Sequence, residues 1–109
     1  MKLVNRGFLI IRPTQEFLSW ANANGQGVEL SMEDAPEPSI YLIEEDFFDL
    51  EPIIERQFKT IFEQELDLVN ENEETWPQYR TIELFLDWFE VEAGTTVFDC
   101  EKSDLRSEA

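Results

Sequence analysis

The sequence predicts an α+β fold, a two-layer sandwich in which three helices cover a sheet of three or four short strands. Two short apolar runs predict buried strands: residues 7–11 form one that is buried on both faces or nearly so, and residues 40–43 form a second. Residues 50–69 carry apolar side chains at alternating spacings of three and four, the pattern of an amphipathic helix. The 109 residues are enough for one hydrophobic core, so we expect a single domain spanning residues 1–109.

The first half of the chain predicts strand, helix and strand. The first strand ends near Pro13, because proline disfavours helical geometry at the residue before it. Thr14 is expected to cap a helix that runs to Ala23, and Gly25 to end it in a left-handed conformation. Apolar and polar side chains alternate weakly over residues 28–32, so the sequence leaves open whether these residues form an edge strand. If they form one, the order matches a ferredoxin-like βαββαβ fold with its second helix doubled.

The second half of the chain predicts two helices and a strand. Asp49 suits the N-cap of the long helix. Its expected core face is Leu50, Ile53, Ile54, Phe58, Ile61, Phe62, Leu66 and Val69. Thr81 is expected to cap a third helix that Gly94 ends. The apolar face of this helix is Ile82, Phe85, Leu86 and Phe89. Residues 95–99 read as a β-branched strand and residues 101–109 as a frayed tail.

The charge is strongly acidic and unevenly distributed. The chain has 25 Asp and Glu against 8 Lys and Arg, a formal net charge of −17. Between Glu29 and Glu74, sixteen carboxylates are interrupted by two cations, Arg56 and Lys59. Nucleic acids and anionic membranes are themselves polyanions, so this field excludes both as direct partners. The charge favours a basic protein as partner and leaves the oligomeric state open.

The sequence indicates a cytoplasmic protein. The one cysteine, Cys100, cannot form an internal disulfide, which fits a reducing compartment. The apolar run at residues 8–11 is too short for the apolar part of a signal peptide. No stretch approaches the roughly 20 apolar residues that a membrane-spanning helix needs.

The residues available for catalysis or metal binding are few. The chain has no histidine, so a general base would have to be a buried carboxylate or a deprotonated lysine. Glu44, Glu45, Asp46 and Asp49 could gather oxygen ligands for a hard cation, but they lack the EF-hand spacing and read more simply as solvated acids. We therefore expect no metal, no cofactor and no catalytic residue, with a small carboxylate-using enzyme as an alternative.

Five basic and aromatic residues form a candidate binding patch. Arg12 follows the first strand and Arg80 precedes the third helix, and with Trp76 and Tyr79 they could line a site for an anion or a peptide. The simpler interpretation is that both arginines neutralise nearby acids. Trp88 lies off the main apolar face of its helix, so it is either an interface anchor or part of the core rim.

Four sequence segments resemble a family of small acidic bacterial proteins of unknown function. They are Ile11-Arg12-Pro13-x-x-x-Phe17-Leu18-x-Trp20, Tyr41-Leu42-Ile43, Trp76-Pro77-x-x-Arg80-Thr81 and Trp88-Phe89-x-Val91. The resemblance covers most of the chain and implies a compact single-domain fold, without implying an activity.

The functional expectation is a protein-binding or regulatory module that acts on a basic protein surface. An alternative is a nucleic-acid mimic, whose spaced carboxylates imitate phosphates and inhibit a DNA- or RNA-binding protein.

Overall fold

A computed structural model of the protein describes residues 1–25, 27 and 29–108. Within these residues the chain forms three α-helices and five strands in two antiparallel sheets, which confirms the predicted α+β sandwich. In chain order the elements are β1 (Lys2–Val4), β2 (Gly7–Pro13), α1 (Gln15–Asn24), a 3₁₀ helix (Met32–Asp34), β3 (Ser39–Ile43), α2 (Leu50–Val69), a second 3₁₀ helix (Glu73–Thr75), α3 (Ile82–Trp88), β4 (Phe89–Gly94) and β5 (Val97–Asp99). None of the helices in these residues is both long and apolar enough to cross a membrane.

The larger sheet has three antiparallel strands, with β2 in the centre between β3 and β4. Ile10 of β2 lies opposite Ile40 of β3 on one side and Glu92 of β4 on the other. β1 and β5 form the second sheet, in which Leu3 lies opposite Phe98. Two-residue connections link β1 to β2 and β4 to β5, so the small sheet continues from one end of the larger one.

The helices cover one face of the three-stranded sheet. Along β2, Leu9 and Ile11 are buried in the core, whereas Phe8 and Ile10 are only half-buried. Successive side chains of a strand point to opposite faces, so this alternation marks an inner and an outer face. β2, predicted to be buried on both faces or nearly so, is thus buried on its inner face, where the helices pack, and half-buried on its outer face at Phe8 and Ile10.

The long helix α2 supplies the largest part of the helical layer. The predicted apolar stripe is confirmed: all eight of its residues are in the core or packed against it. The buried members are Ile53, Ile61, Phe62 and Leu66. Thr81 caps α3 as predicted, since its Oγ1 accepts a hydrogen bond from the N–H of Leu84 at 3.1 Å.

The third helix is shorter than predicted. It ends at Trp88, and Phe89 begins β4 instead of continuing the helical face. From Phe89 the chain alternates between side chains that pack in the core and the exposed Glu90 and Glu92, which suits a strand. Leu86, expected on the apolar face of the helix, is exposed.

The sequence left open whether residues 28–32 form an edge strand, and their described part does not. Val28 lies outside the described residues, residues 29–31 have no strand structure, and Met32 begins a 3₁₀ helix. The Asp34 carboxylate stabilises that turn by accepting hydrogen bonds from the N–H and hydroxyl of Ser31, at 2.7 and 3.1 Å. Without this strand the described sheet has three members, all antiparallel, and the ferredoxin-like alternative does not apply.

Gly25 ends α1 for a different reason from the one predicted. Its φ of −86° is extended and not left-handed. A Cβ at this position would lie 2.8 Å from the carbonyl oxygen of Ala21, closer than real Cβ atoms approach. Glycine is therefore required for the close approach of the two backbones and not for a positive φ.

An aromatic cluster fills the centre of the core. Phe62 of α2 is fully buried, and its ring centroid lies 5.5 Å from Trp88, 5.7 Å from Phe85 and 5.7 Å from Phe89. These tilted and edge-on arrangements are the ones that aromatic pairs prefer. Phe62 thereby joins α2, α3 and β4 in one contact.

One carboxylate, Glu65 of α2, is buried among the described residues, with 8 % of its surface exposed. Its Oε2 accepts a hydrogen bond from the Tyr41 hydroxyl at 2.5 Å and its Oε1 one from the Ser39 hydroxyl at 3.1 Å. Burial, together with the hydrogen bond to Glu65 and its negative charge, raises the pKa of Tyr41 well above its usual range. The pair attaches β3 to α2.

Residues 101–108 have no helix or strand and are exposed. Lys2 contacts the beginning of this segment. Its Nζ donates to the carbonyl oxygen of Ser103 at 3.1 Å and forms ion pairs with Asp99 and Asp104, each at 3.7 Å. The predicted fraying of the tail stays a prediction.

Phe62→Ala is expected to lower the free energy of unfolding by about 3–5 kcal/mol, because it removes a buried ring and leaves a cavity. Urea denaturation measures this loss. The control is Phe48→Ala, whose side chain is 100 % exposed and whose loss should stay within about 0.5 kcal/mol. A loss below about 1 kcal/mol for Phe62→Ala would contradict the central position of this ring.

Tyr41→Phe is expected to cost about 1–3 kcal/mol at neutral pH, because the buried Glu65 loses a hydrogen-bond donor. A raised pKa means that the folded state holds the Tyr41 proton more tightly than the unfolded chain. The hydrogen bond from Tyr41 to Glu65 therefore stabilises the fold fully below about pH 10, and this stabilisation is lost as the pH rises above that value. Urea melts should show the stability gap between wild type and variant narrowing above that pH. The control is Tyr79→Phe, because the side chain of Tyr79 is exposed. If the difference in stability between wild type and Tyr41→Phe stayed the same above about pH 10, the stabilisation would not depend on the Tyr41 proton.

Candidate protein-binding surface

Arg12 of the predicted patch lies on the outer face of the sheet. Its Nη1 donates to Oε2 of Glu92 at 2.9 Å, and the residue lies opposite Glu90 of β4. The contact is a diagonal cross-strand ion pair between two exposed side chains. Arg12 thus neutralises an acid on the neighbouring strand, as the simpler interpretation had it.

Arg80 and Trp76 are brought together in the segment before α3. The Arg80 guanidinium donates to the carbonyl oxygen of Pro77 at 2.8 Å and to Oε1 of Glu63 at 3.3 Å. Its central carbon lies 5.6 Å from the centroid of the Trp76 ring, a cation–π distance. Trp76 in turn donates its indole N–H to the carbonyl oxygen of Asn70 at 2.7 Å. These contacts hold the connection between α2 and α3.

Tyr79 and Trp88 have different surroundings. Tyr79 is 75 % exposed and shares with Arg80 an open groove of about 350 Å³. Trp88 packs with Phe17, Trp20 and Phe62, at centroid distances of 6.0, 6.0 and 5.5 Å, which supports the core-rim interpretation. The structure therefore joins Trp76, Tyr79 and Arg80, while Arg12 and Trp88 make separate contacts. Binding at these residues stays a prediction.

A different surface has the composition of an interface. The open face is defined here as the outer side of β2 and β3 and consists of Phe8, Ile10, Ile40 and Leu42. Ile10 lies opposite Ile40, and Phe8 opposite Leu42, so the four side chains point to the same side. Ile40 is 65 % and Leu42 49 % exposed. Antiparallel sheets with one solvated face usually carry polar residues there, so this apolar face is informative.

The β4 side of the open face is built from small and charged residues. Gly94 lies opposite Phe8, and a Cβ on it would come within 2.5 Å of the Phe8 ring. The ring therefore lies over Gly94. Glu90 and Glu92, opposite Arg12 and Ile10, form a polar border along β4. An apolar centre with a polar border is the usual anatomy of a protein–protein interface.

Carboxylates dominate the remaining surface. Among the described residues all 25 acids are exposed except Glu63, Glu65 and Asp99. Of the sixteen between Glu29 and Glu74, two form ion pairs in the described part of the chain, namely Glu44 with Arg56 and Glu63 with Arg80. Most of the acidic surface is thus not neutralised from within the chain.

The acids of the described residues are spread over the surface, and nearly all of them are exposed. In the described residues no three Asp, Glu or Cys side chains are placed to share a metal ion. Carboxylate catalysis would use acids gathered in a cleft, and the one buried acid of the described chain, Glu65, is bonded to Tyr41 and Ser39. Glu44, considered above as an oxygen ligand, contacts Arg56 instead.

The open face could not be recognised from the apolar run at residues 40–43. In a continuous run each side chain is apolar, so the sequence does not show which ones face the helices. A signal was present in β4, where Glu90 and Glu92 alternate with apolar residues and mark one sheet face as solvated.

Comparison with known proteins adds no relative. No protein-family model matches the chain, and the searches of curated proteins and of solved structures found no match.

Proposed function

We propose that the protein is a binding or regulatory module for a basic protein, and that the open face is the centre of the interface. The observation that carries the proposal is the exposure of Ile40 and Leu42 on a sheet face that the helices of the described residues leave uncovered. Covering these side chains would remove apolar surface from water, which is favourable by about 25 cal/mol for each Å² buried.

The acidic residues around the open face indicate which class of protein would bind there. Unpaired carboxylates attract a cationic surface, accelerate its approach and disfavour acidic competitors. Glu90, which forms no ion pair in the described residues, borders the open face directly, whereas its neighbour Glu92 is paired with Arg12. A partner that matches this pattern has an apolar patch surrounded by Lys and Arg.

Nucleic-acid mimicry is a second candidate, favoured by the density of unpaired acids between Glu29 and Glu74. A mimic replaces phosphates with carboxylates and has no need of an apolar centre. The open face therefore favours the first candidate, and substitution of its apolar residues separates the two.

The proposal places the protein in the cytoplasm, where the exposed Cys100 would stay reduced. It includes no direct contact with nucleic acid or membrane, because both repel the acidic surface.

The interface is tested with two matched double variants. Ile40→Ser/Leu42→Ser removes the exposed apolar side chains of the open face, and Leu86→Ser/Leu105→Ser removes two equally exposed ones from α3 and the C-terminal segment. Wild-type protein immobilised through Cys100 is used to capture proteins of the host cell at low salt, and each captured protein is then purified. We expect a basic protein whose Kd rises at least about tenfold for the open-face variant and little for the control.

If both double variants lost affinity equally, or if neither lost affinity, the open face would not be the interface. An acidic captured protein would refute the partner class. Retained binding of a DNA- or RNA-binding protein by the open-face variant would favour mimicry.

The unpaired acidic surface also predicts that salt stabilises the fold. Raising the ionic strength from about 0.01 to 0.15 M shortens the Debye length from about 30 to about 8 Å and weakens repulsion between exposed carboxylates. Thermal melts in sodium chloride should show Tm rising over this range. A falling Tm would mean that attractive ion pairs outweigh the repulsion.

A further inference from the structure

The free edge of β3 offers a second kind of contact beside the open face. Among the described residues β3 pairs with one strand, β2, over the unbroken register from Ser39 to Ile43. Along such an edge the backbone N–H and C=O groups of every second residue point away from the sheet, where another strand can bond to them.

The two edges of this sheet differ in their protection. Proteins protect edge strands with charges, prolines or bulges. β4 carries the charges of Glu90 and Glu92 on its outer face, whereas β3 has no charge, proline or bulge within its five residues. The outer side chains of β3 are instead the exposed Ile40 and Leu42. β3 is thus the edge that remains open to a further strand.

The edge strand is also held in place before any partner arrives. The hydroxyls of Ser39 and Tyr41 bond to the buried Glu65 of α2, and Ile43 is buried in the core. A pre-organised strand loses little conformational freedom when it binds, which favours association.

A groove on the helix side of β3 indicates which side chains the added strand would carry. It has a volume of about 370 Å³ and lies at the beginning of β3. Its lining includes Glu37, Ser39 and Glu65, together with the apolar Phe17, Pro38, Leu68 and Val69. The Glu65 carboxylate has accepted two hydrogen bonds and has lone pairs left for a cation. A Lys or Arg side chain from a strand beside β3 fits this groove.

We propose that β3 binds an extended segment of a basic protein as an additional strand, with apolar side chains over the open face and basic ones toward Glu37 and Glu65. The inference rests on the proposed function and specifies how its partner is recognised. Strand alternation supplies the pattern, because successive side chains of the added strand point to the two faces in turn.

Charge disfavours a second copy of this chain as the occupant. Glu37 precedes β3 and Glu44, Glu45 and Asp46 follow it. An antiparallel pair of β3 strands would place Glu37 of one copy near Glu44 of the other, and a parallel pair would align identical acids. Two chains of net charge −17 also repel each other at long range.

The test uses acetylated synthetic peptides of about seven residues, a usual strand length, in which Lys and Val alternate. Two derivatives of the peptide are N-methylated. The first carries a methyl group on every Val amide, and the second carries a methyl group on every Lys amide. Successive amides of a strand point to opposite edges, so one derivative loses its hydrogen bonds to β3 and the other keeps them. Fluorescence anisotropy should give Kd values for the two that differ by at least about tenfold.

Hydrogen exchange of the folded protein supplies the second measurement. On addition of the unmethylated peptide, amides of β3 should gain protection, while those of β4, the other edge, should not. Sedimentation of the free protein should show a monomer.

Three results would overturn the inference. Equal Kd values for the two derivatives would show attraction by charge alone, which leaves the proposed function intact. Absence of binding by the unmethylated peptide would exclude the added strand, while the capture experiment decides the proposed function separately. A dimer with β3 amides protected in the free protein would assign the edge to a second copy.

Discussion

The structure depends on the packing of one helix, α2, across the inner face of a three-stranded sheet. Phe62 makes the central contact, since its buried ring touches residues of α3 and β4 at once. Glu65, one turn further along α2, fixes β3 through Tyr41 and Ser39. Because the helical layer lies on this face only, the opposite face of the sheet is left to the solvent. The open face is thus a direct consequence of how the core is built.

The parts of the fold with a strong local pattern could be predicted from the sequence. The stripe of α2 was predicted because eight apolar residues repeat at helical spacing, and the cap at Thr81 because its hydroxyl serves the first turn of α3. β4 was missed because Phe85 and Phe89 lie four residues apart, so Phe89 reads as helical although its ladder partner is Pro13, far away in sequence. The sequence near β4 does not show that it pairs with β2, although the alternation of Glu90 and Glu92 with apolar residues is a local sign of a strand.

The candidate site was predicted less well than the fold. Arg80 and Trp76 do meet, and their contacts with Glu63, Pro77 and Asn70 are structural. Trp88 belongs to the aromatic core, as one of its two interpretations had it. Ile40 and Leu42 were assigned to a buried strand because they belong to a continuous apolar run. A strand buried on one face gives the same run as a strand buried on both faces when its outer residues are also apolar. Charge, in contrast, follows directly from composition, and the structure adds that few of the acids are paired within the described chain.

Ile40 and Leu42 lie on a sheet face open to solvent, whereas Ile11 and Ile43 are buried on the face that the helices cover. Methyl NMR of the free protein with a neutral, soluble gadolinium chelate tests this placement directly, because the chelate relaxes methyl groups at the surface and spares those in the core. We expect strong relaxation of the Ile40 and Leu42 methyls and little relaxation of the Ile11 and Ile43 methyls. Equal protection of all four residues would contradict it, since the outer face of the sheet would then be covered.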